Sequence, residues 1–114
     1  MNAGGIVLAR FPLADLDSAK KRPALVLSHT LRSPRDRLVT IAMITSQIEA
    51  PRVNGDVELS KWQDAGLLHP SLLRLAKLAT IDGNLAEKTI EKLSSKDRES
   101  AGRAFQRIFS PWLR

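Results

Sequence analysis

Lys20-Lys21-Arg22-Pro23-Ala24-Leu25-Val26-Leu27-Ser28 sets two lysines and an arginine directly before an apolar run. Four consecutive apolar residues after Pro23 indicate a strand buried on both faces, at the centre of a sheet or barrel. Pro23 fixes its own φ and steers Arg22 toward extended backbone, so the arginine stands in a determined direction at the mouth of that strand. A solvated basic loop ahead of a core strand is the competing reading, because runs of charge usually face water.

Outward from this stretch the chain reads mainly as strands. Ile6 to Phe11, between Gly5 and Pro12, is a short apolar run bounded by breakers. The polar segment from Pro12 to Lys21 is long for a hairpin connection. After Ser28 the segment His29 to Arg37 reads as a turn, and Leu38 to Thr45 as a third strand. A loop with Pro51 and Asn54-Gly55 leads to a short strand over Asp56 to Leu59, then to one helical turn from Ser60 that Gly66 ends. Ser71 to Ile81 is a further strand, with Leu73, Leu75 and Lys77 on one side and Leu72, Arg74, Ala76 and Leu78 on the other. Lys88 to Leu93 fits strand or helix. Ser94, with Asp97 three residues on, opens an amphipathic helix whose apolar positions are Ala101, Ala104, Phe105, Ile108, Phe109 and Trp112. The expected fold is an antiparallel sheet or small barrel with a C-terminal helix laid across it.

Composition narrows the function. With 114 residues and 43% hydrophobic content, residues 1–114 fit one domain with one core. Lys and Arg number 18 against 12 Asp and Glu, and this excess favours a polyanionic partner such as a nucleic acid or an acidic protein. The absence of cysteine excludes disulfides and cysteine-based zinc sites, and two histidines leave little for any metal, so no cofactor is expected. No apolar run approaches the roughly 20 residues that cross a bilayer, and Arg10 interrupts the first apolar stretch, unlike a secretory signal, so cytoplasmic residence is expected. The five aromatic residues are too few for a broad stacking platform, so nucleic-acid contact is expected to be mainly electrostatic.

Gly4-Gly5-Ile6-Val7-Leu8, Phe11-Pro12-Leu13, Lys21-Arg22-Pro23-Ala24-Leu25-Val26, Ile44-Thr45-Ser46-Gln47, Ala65-Gly66-Leu67, Pro70-Ser71 and Thr80-Ile81-Asp82 follow one another in the order and spacing of a known family. From about Gly4 to about Leu93 the chain resembles the PemK and MazF toxin endoribonucleases of bacterial toxin-antitoxin modules. The resemblance implies an SH3-like small β-barrel, metal-independent cleavage of single-stranded RNA, a homodimer and an acidic, partly disordered antitoxin partner. It also implies that Arg22 and Thr45 are the catalytic pair, with Lys20, Lys21, Ser46 and Lys77 in contact with RNA. Gly5 departs from the pattern, since most members carry an acidic residue there; its loss would either leave Arg22 less well oriented or be tolerated.

Those residue types suit the chemistry. Cleavage by the 2′-hydroxyl needs stabilisation of charge on a pentavalent intermediate and the movement of two protons. Arginine stays protonated, so Arg22 is expected to act as an electrostatic stabiliser, and the general base is left unassigned. Thr45 reads equally well as an ordinary β-former at a strand end. His29 and His69 invite an imidazole acid and base, but both stand in turns and outside the family's pair. Lys20, Lys21, Arg32, Arg35 and Arg37 are candidates for a backbone-binding surface. A non-nucleolytic toxin of the same fold, similar to the gyrase inhibitor CcdB, or a degenerate binding module suggested by Gly5, are the rival functions.

Overall fold

A computed structural model describes residues 2–10 and 21–113, without the side chain of Glu87. The strands are β1 (Gly5–Ala9), β2 (Arg22–Ser33), β3 (Asp36–Thr45), β4 (Asp56–Glu58), β5 (Leu72–Asp82) and β6 (Ala86–Lys92), followed by helix α1 (Ser95–Phe109). They form one antiparallel sheet in the order β4-β5-β3-β2-β1-β6. The strand over 88–93 that sequence left open is thus β6. Lys20 and the loop expected over 12–20 lie outside the described residues.

Alternation along the strands sends side chains into two clusters on opposite faces. Ile6, Leu25, Ala42 and Ile44 enter the larger one, together with Val57 of β4, Leu93 after β6, and Ala101 and Ala104 of α1. Because β4 and β6 end the strand order yet both ends feed this core, the sheet must curl toward a barrel. Val7, Ala24, Val26, Val39, Ile41 and Ile81 form the second cluster. The central run Ala24-Leu25-Val26 therefore divides between both cores, as expected of a strand buried on both faces.

An irregularity in β5 sets which residues face which core. Ala42 pairs with Leu78, whereas the next residue, Met43, pairs with Arg74, so Leu75, Ala76 and Lys77 bulge from the ladder. An odd number of extra residues reverses the alternation, so Leu75 and Leu78 point to the same core although three apart. The alternation read from the sequence, imperfect already, breaks at Leu75 to Lys77 for this reason. Residues 29–37 are also no simple turn. They extend β2 and β3 into an exposed hairpin arm, its ladder made by backbone bonding without burial. At its tip Arg32 bridges Asp36 at 2.8 Å, a solvated pair that contributes little.

Helix α1 lies on the curled sheet by its small residues. Ser94 caps it by accepting the Asp97 amide at 3.2 Å. Ala101, Ala104 and the half-buried Ile108 make its packing face. Phe105 and Phe109, one turn apart, stack on each other at 4.6 Å between centroids, and Trp112 falls in a short 3-10 turn after the helix, almost fully exposed. The apolar stripe of the sequence is therefore wider than the face that is buried.

Two polar links fasten the outer parts of the fold. Asp97, 1% exposed, accepts from the Ser60 amide at 2.9 Å, the Ser60 hydroxyl at 2.9 Å and the Lys61 amide at 2.8 Å. Asp56 and Arg74 are cross-strand partners, joined from Nε at 3.2 Å and from Nη2 at 3.1 Å, and Arg74 also donates to the Pro51 carbonyl at 3.0 Å. Burial pushes the Asp56 carboxyl up, but the Arg74 hydrogen bonds, the Val53 amide and the charges of Arg74 and Arg52 outweigh it and hold the group below the usual range.

Asp97→Ala strands two backbone donors, each costing about 1–3 kcal/mol when buried, and is expected to lower the unfolding free energy by roughly 2–5 kcal/mol in urea titration. For Asp56 the folded-state value lies below the unfolded value, so its contribution is complete above about pH 4 and is lost as pH falls through the folded value. Arg74→Ala is expected to cost roughly 3–5 kcal/mol at pH 7 and to flatten the acid side of the stability profile below pH 4; an unchanged acid slope would separate Asp56 from this pair.

Candidate active site

The shared end of β2 and β3 is where the cations of the opening stretch meet the second motif. The register that sets Ala24 opposite Met43, continued by two residues, sets Arg22 level with Thr45. On the other side Arg22 pairs with Ala9 of β1 and Pro23 with Leu8. Arg22 is thus held between two strands at the position where Pro23 directs the chain.

A cleft of about 510 Å³ opens at this end, lined by fourteen of the described residues. Lys21, Arg22, Thr45 and Ser46 come from the ends of β2 and β3. Lys88 and Ile90 come from β6, and Leu67, Leu68 and His69 from the segment that follows the 60–66 turn. Among the described lining residues none is acidic, whereas Lys21, Arg22 and Lys88 are basic, and Leu8, Pro23, Ile44, Leu67, Leu68 and Ile90 supply apolar surface. Such a lining favours an anionic ligand that also carries a flat or apolar part.

The far wall of the cleft is set by the turn that Asp97 holds. Ala65 donates to the Lys61 carbonyl and Leu67 to that of Trp62, and Gly66 then reverses the chain with φ +78°. A Cβ on Gly66 would come within 2.7 Å of Ile90 Cγ2, so glycine lets this segment touch β6 and close the seam of the curled sheet. Beyond it the buried Ser71 hydroxyl donates to the His69 carbonyl at 2.8 Å, and Pro70 restricts His69 to extended backbone.

Thr45 is oriented as well as placed. Its Oγ1 accepts the Gln47 amide at 3.1 Å, which fixes the side chain at the strand end, while a threonine hydroxyl retains its own proton for donation. Ser46 is exposed beside it.

Of the residues expected to contact RNA, Lys21 and Ser46 line the cleft together with the pair Arg22 and Thr45, and Lys20 lies outside the described residues. Lys77 does not line it. The β5 bulge carries Lys77 off the ladder to an exposed position. Arg32, Arg35 and Arg37 sit at the hairpin arm, at the opposite end of β2 and β3, up to roughly 30 Å along a strand that rises about 3.3 Å per residue. His29 is exposed on that arm, whereas His69 lines the cleft. Lys88 and Leu68 are lining residues that sequence reading missed, because nothing local announces that β6 and the 66–71 segment meet the ends of β2 and β3. Gly5 lies at the other end of β1 from Ala9, the partner of Arg22, roughly 13 Å away by the same rise.

Among the described residues no group of three or more His, Asp or Glu is placed to hold a metal ion, and no helix is long and apolar enough to cross a membrane. Comparison with curated proteins gave no match. Among solved structures, the Mycobacterium tuberculosis toxin MazF-mt6 shares the fold with a TM-score of 0.68 at 24% identity, over 93% of this chain and 96% of that one. The family model described as PemK-like, MazF-like toxin of type II toxin-antitoxin systems matches residues 2–109, and with six antiparallel strands, a C-terminal helix and a basic cleft at the strand ends, the chain belongs to that family.

Proposed function

We propose that this toxin-family protein is a metal-independent endoribonuclease that cleaves single-stranded RNA through attack of a 2′-hydroxyl on the adjacent phosphate. The observation that carries the reading is the meeting of Arg22 and Thr45 at one end of β2 and β3, within a single cleft that has cationic walls and, among the described residues, no acidic lining residue. Arg22 would stabilise the equatorial oxygens as negative charge accumulates, with its planar fork suited to two of them. Thr45 would donate a hydrogen bond to the same group, its rotamer already fixed by the Gln47 amide. Lys21, Ser46 and Lys88 would hold flanking phosphates, and the apolar residues would receive a base. An acidic antitoxin segment would fit the same cleft by charge.

A long RNA incubated with the purified protein in EDTA is expected to be cut at defined positions. Arg22→Ala, folded by circular dichroism, should lose roughly 10²- to 10³-fold in rate, the usual effect of removing one preorganised donor. Arg22→Lys should recover only part, since an ammonium keeps the charge without the fork. Thr45→Val removes the hydroxyl at nearly constant volume. Folded Arg22→Ala and Thr45→Val proteins that cut at the wild-type rate would remove these residues from the site, and an inactive wild type would favour a binding toxin of the same fold.

We further place two copies of the chain around one RNA, because a 12.6 kDa protein offers little surface to grip several nucleotides. Sedimentation at micromolar concentration should give about twice the monomer mass; a monomer there would contradict the assembly.

A further inference from the structure

We propose that His69 is the general base of this cleft, taking the proton from the attacking 2′-hydroxyl; the assignment rests on the ribonuclease reading above and completes it. That reading leaves one proton without an acceptor. Guanidinium has no acceptor lone pair, protonated lysine has none, and serine and threonine hydroxyls are weak bases at neutral pH. Among the described residues no carboxylate lines the cleft. Among the described lining residues, imidazole is the side chain with a basic nitrogen in the range where such an enzyme works.

The position is built rather than incidental. The His69 carbonyl is held at 2.8 Å by the buried Ser71 hydroxyl, Pro70 follows it, and the turn before it is anchored on Asp97. His69 is exposed and lines the same cleft as Arg22 and Thr45. Among the described residues the charged groups that line the cleft around it are Lys21, just before β2, Arg22 at its start and Lys88 of β6. His29, the other histidine, is remote on the hairpin arm and serves as the internal control.

In the step, the O2′–P bond forms and the P–O5′ bond breaks, leaving a 2′,3′-cyclic phosphate on one fragment and a 5′-hydroxyl on the other. The 2′-hydroxyl proton moves to the imidazole. The departing O5′ takes a proton from water, and the imidazolium returns its proton to solvent, so charge and protons balance over the turnover without a co-reactant.

The test is the pH dependence of RNA cleavage in EDTA for wild type, His69→Gln, His69→Phe, His69→Ala and His29→Gln. Wild-type cleavage tests the underlying reading; the His69 variants test the base. His69→Gln and His69→Phe should both lose roughly 10²- to 10⁴-fold in kcat with KM little changed. They should also flatten the pH dependence that a general base gives the wild-type rate. Added imidazole should restore part of the activity of His69→Ala, and His29→Gln should behave as wild type. A His69→Gln protein with wild-type kcat and an unchanged profile would overturn the assignment. So would a defect confined to KM that phenylalanine repairs, which would make His69 a stacking surface for a base. An inactive wild type would remove the ribonuclease reading and this inference with it.

Discussion

A carboxylate taken out of water must meet donors or it destabilises the fold, and Asp97 meets three of them across the gap between α1 and the 60–66 turn. Two are amides at the start of that turn, where a chain entering helical geometry leaves N–H groups unpaired. The same residue begins the helix, its own amide donated to the Ser94 hydroxyl. One side chain thus ties the start of α1 to the segment that forms the far wall of the cleft. Downstream the geometry is passed on by fixed steps: the Leu67 amide to Trp62, the reversal at Gly66, and the Ser71 hydroxyl to His69.

The near wall is held in another way. Arg22 and Thr45 stand on neighbouring strands, where ladder bonding to β1 and β3 and two-sided burial of Ala24, Leu25 and Val26 resist any slip. A shift of one residue would exchange the two cores, moving every apolar side chain of β2 to the wrong face. Register there is strongly specified, so the cations carried at the end of β2 are specified with it. A rigid ladder on one side and a hydrogen-bonded loop on the other leave a space that needs little reorganisation to receive an anion.

What could be read from the sequence follows from which of these forces is local. Pro23 with four apolar residues after it marked β2 as central, and Ser94 with Asp97 marked the start of α1, since each signal lies within a few neighbouring residues. The β5 bulge was only hinted at, because Ser71 to Ile81 alternates imperfectly without showing where the ladder with β3 slips, and the slip displaced Lys77. The hairpin arm was missed because residues 29–37 are polar apart from Leu31 and Pro34, and exposed ladders carry no hydrophobic period. Asp97 looked like a member of a helix cap, and no local feature shows that its carboxylate reaches Ser60. His69 was set aside as a turn histidine, and only the curl of the sheet brings that turn against the ends of β2 and β3.

Gly5 shows how the same geometry bears on a departure from the family pattern. An acidic residue in its place is near neither Arg22 nor Thr45, because β1 runs antiparallel to β2 and carries position 5 to the end paired with Lys92. A Cβ there would stand 3.1 Å from the Asn2 carbonyl oxygen, which already accepts the Gly5 amide at 3.0 Å, so the tight turn before β1 is the feature that glycine serves. The direction of Arg22 comes instead from Pro23 and from pairing with Ala9. Position 5 therefore stands at the start of β1, at the other end of the strand from the partner of Arg22.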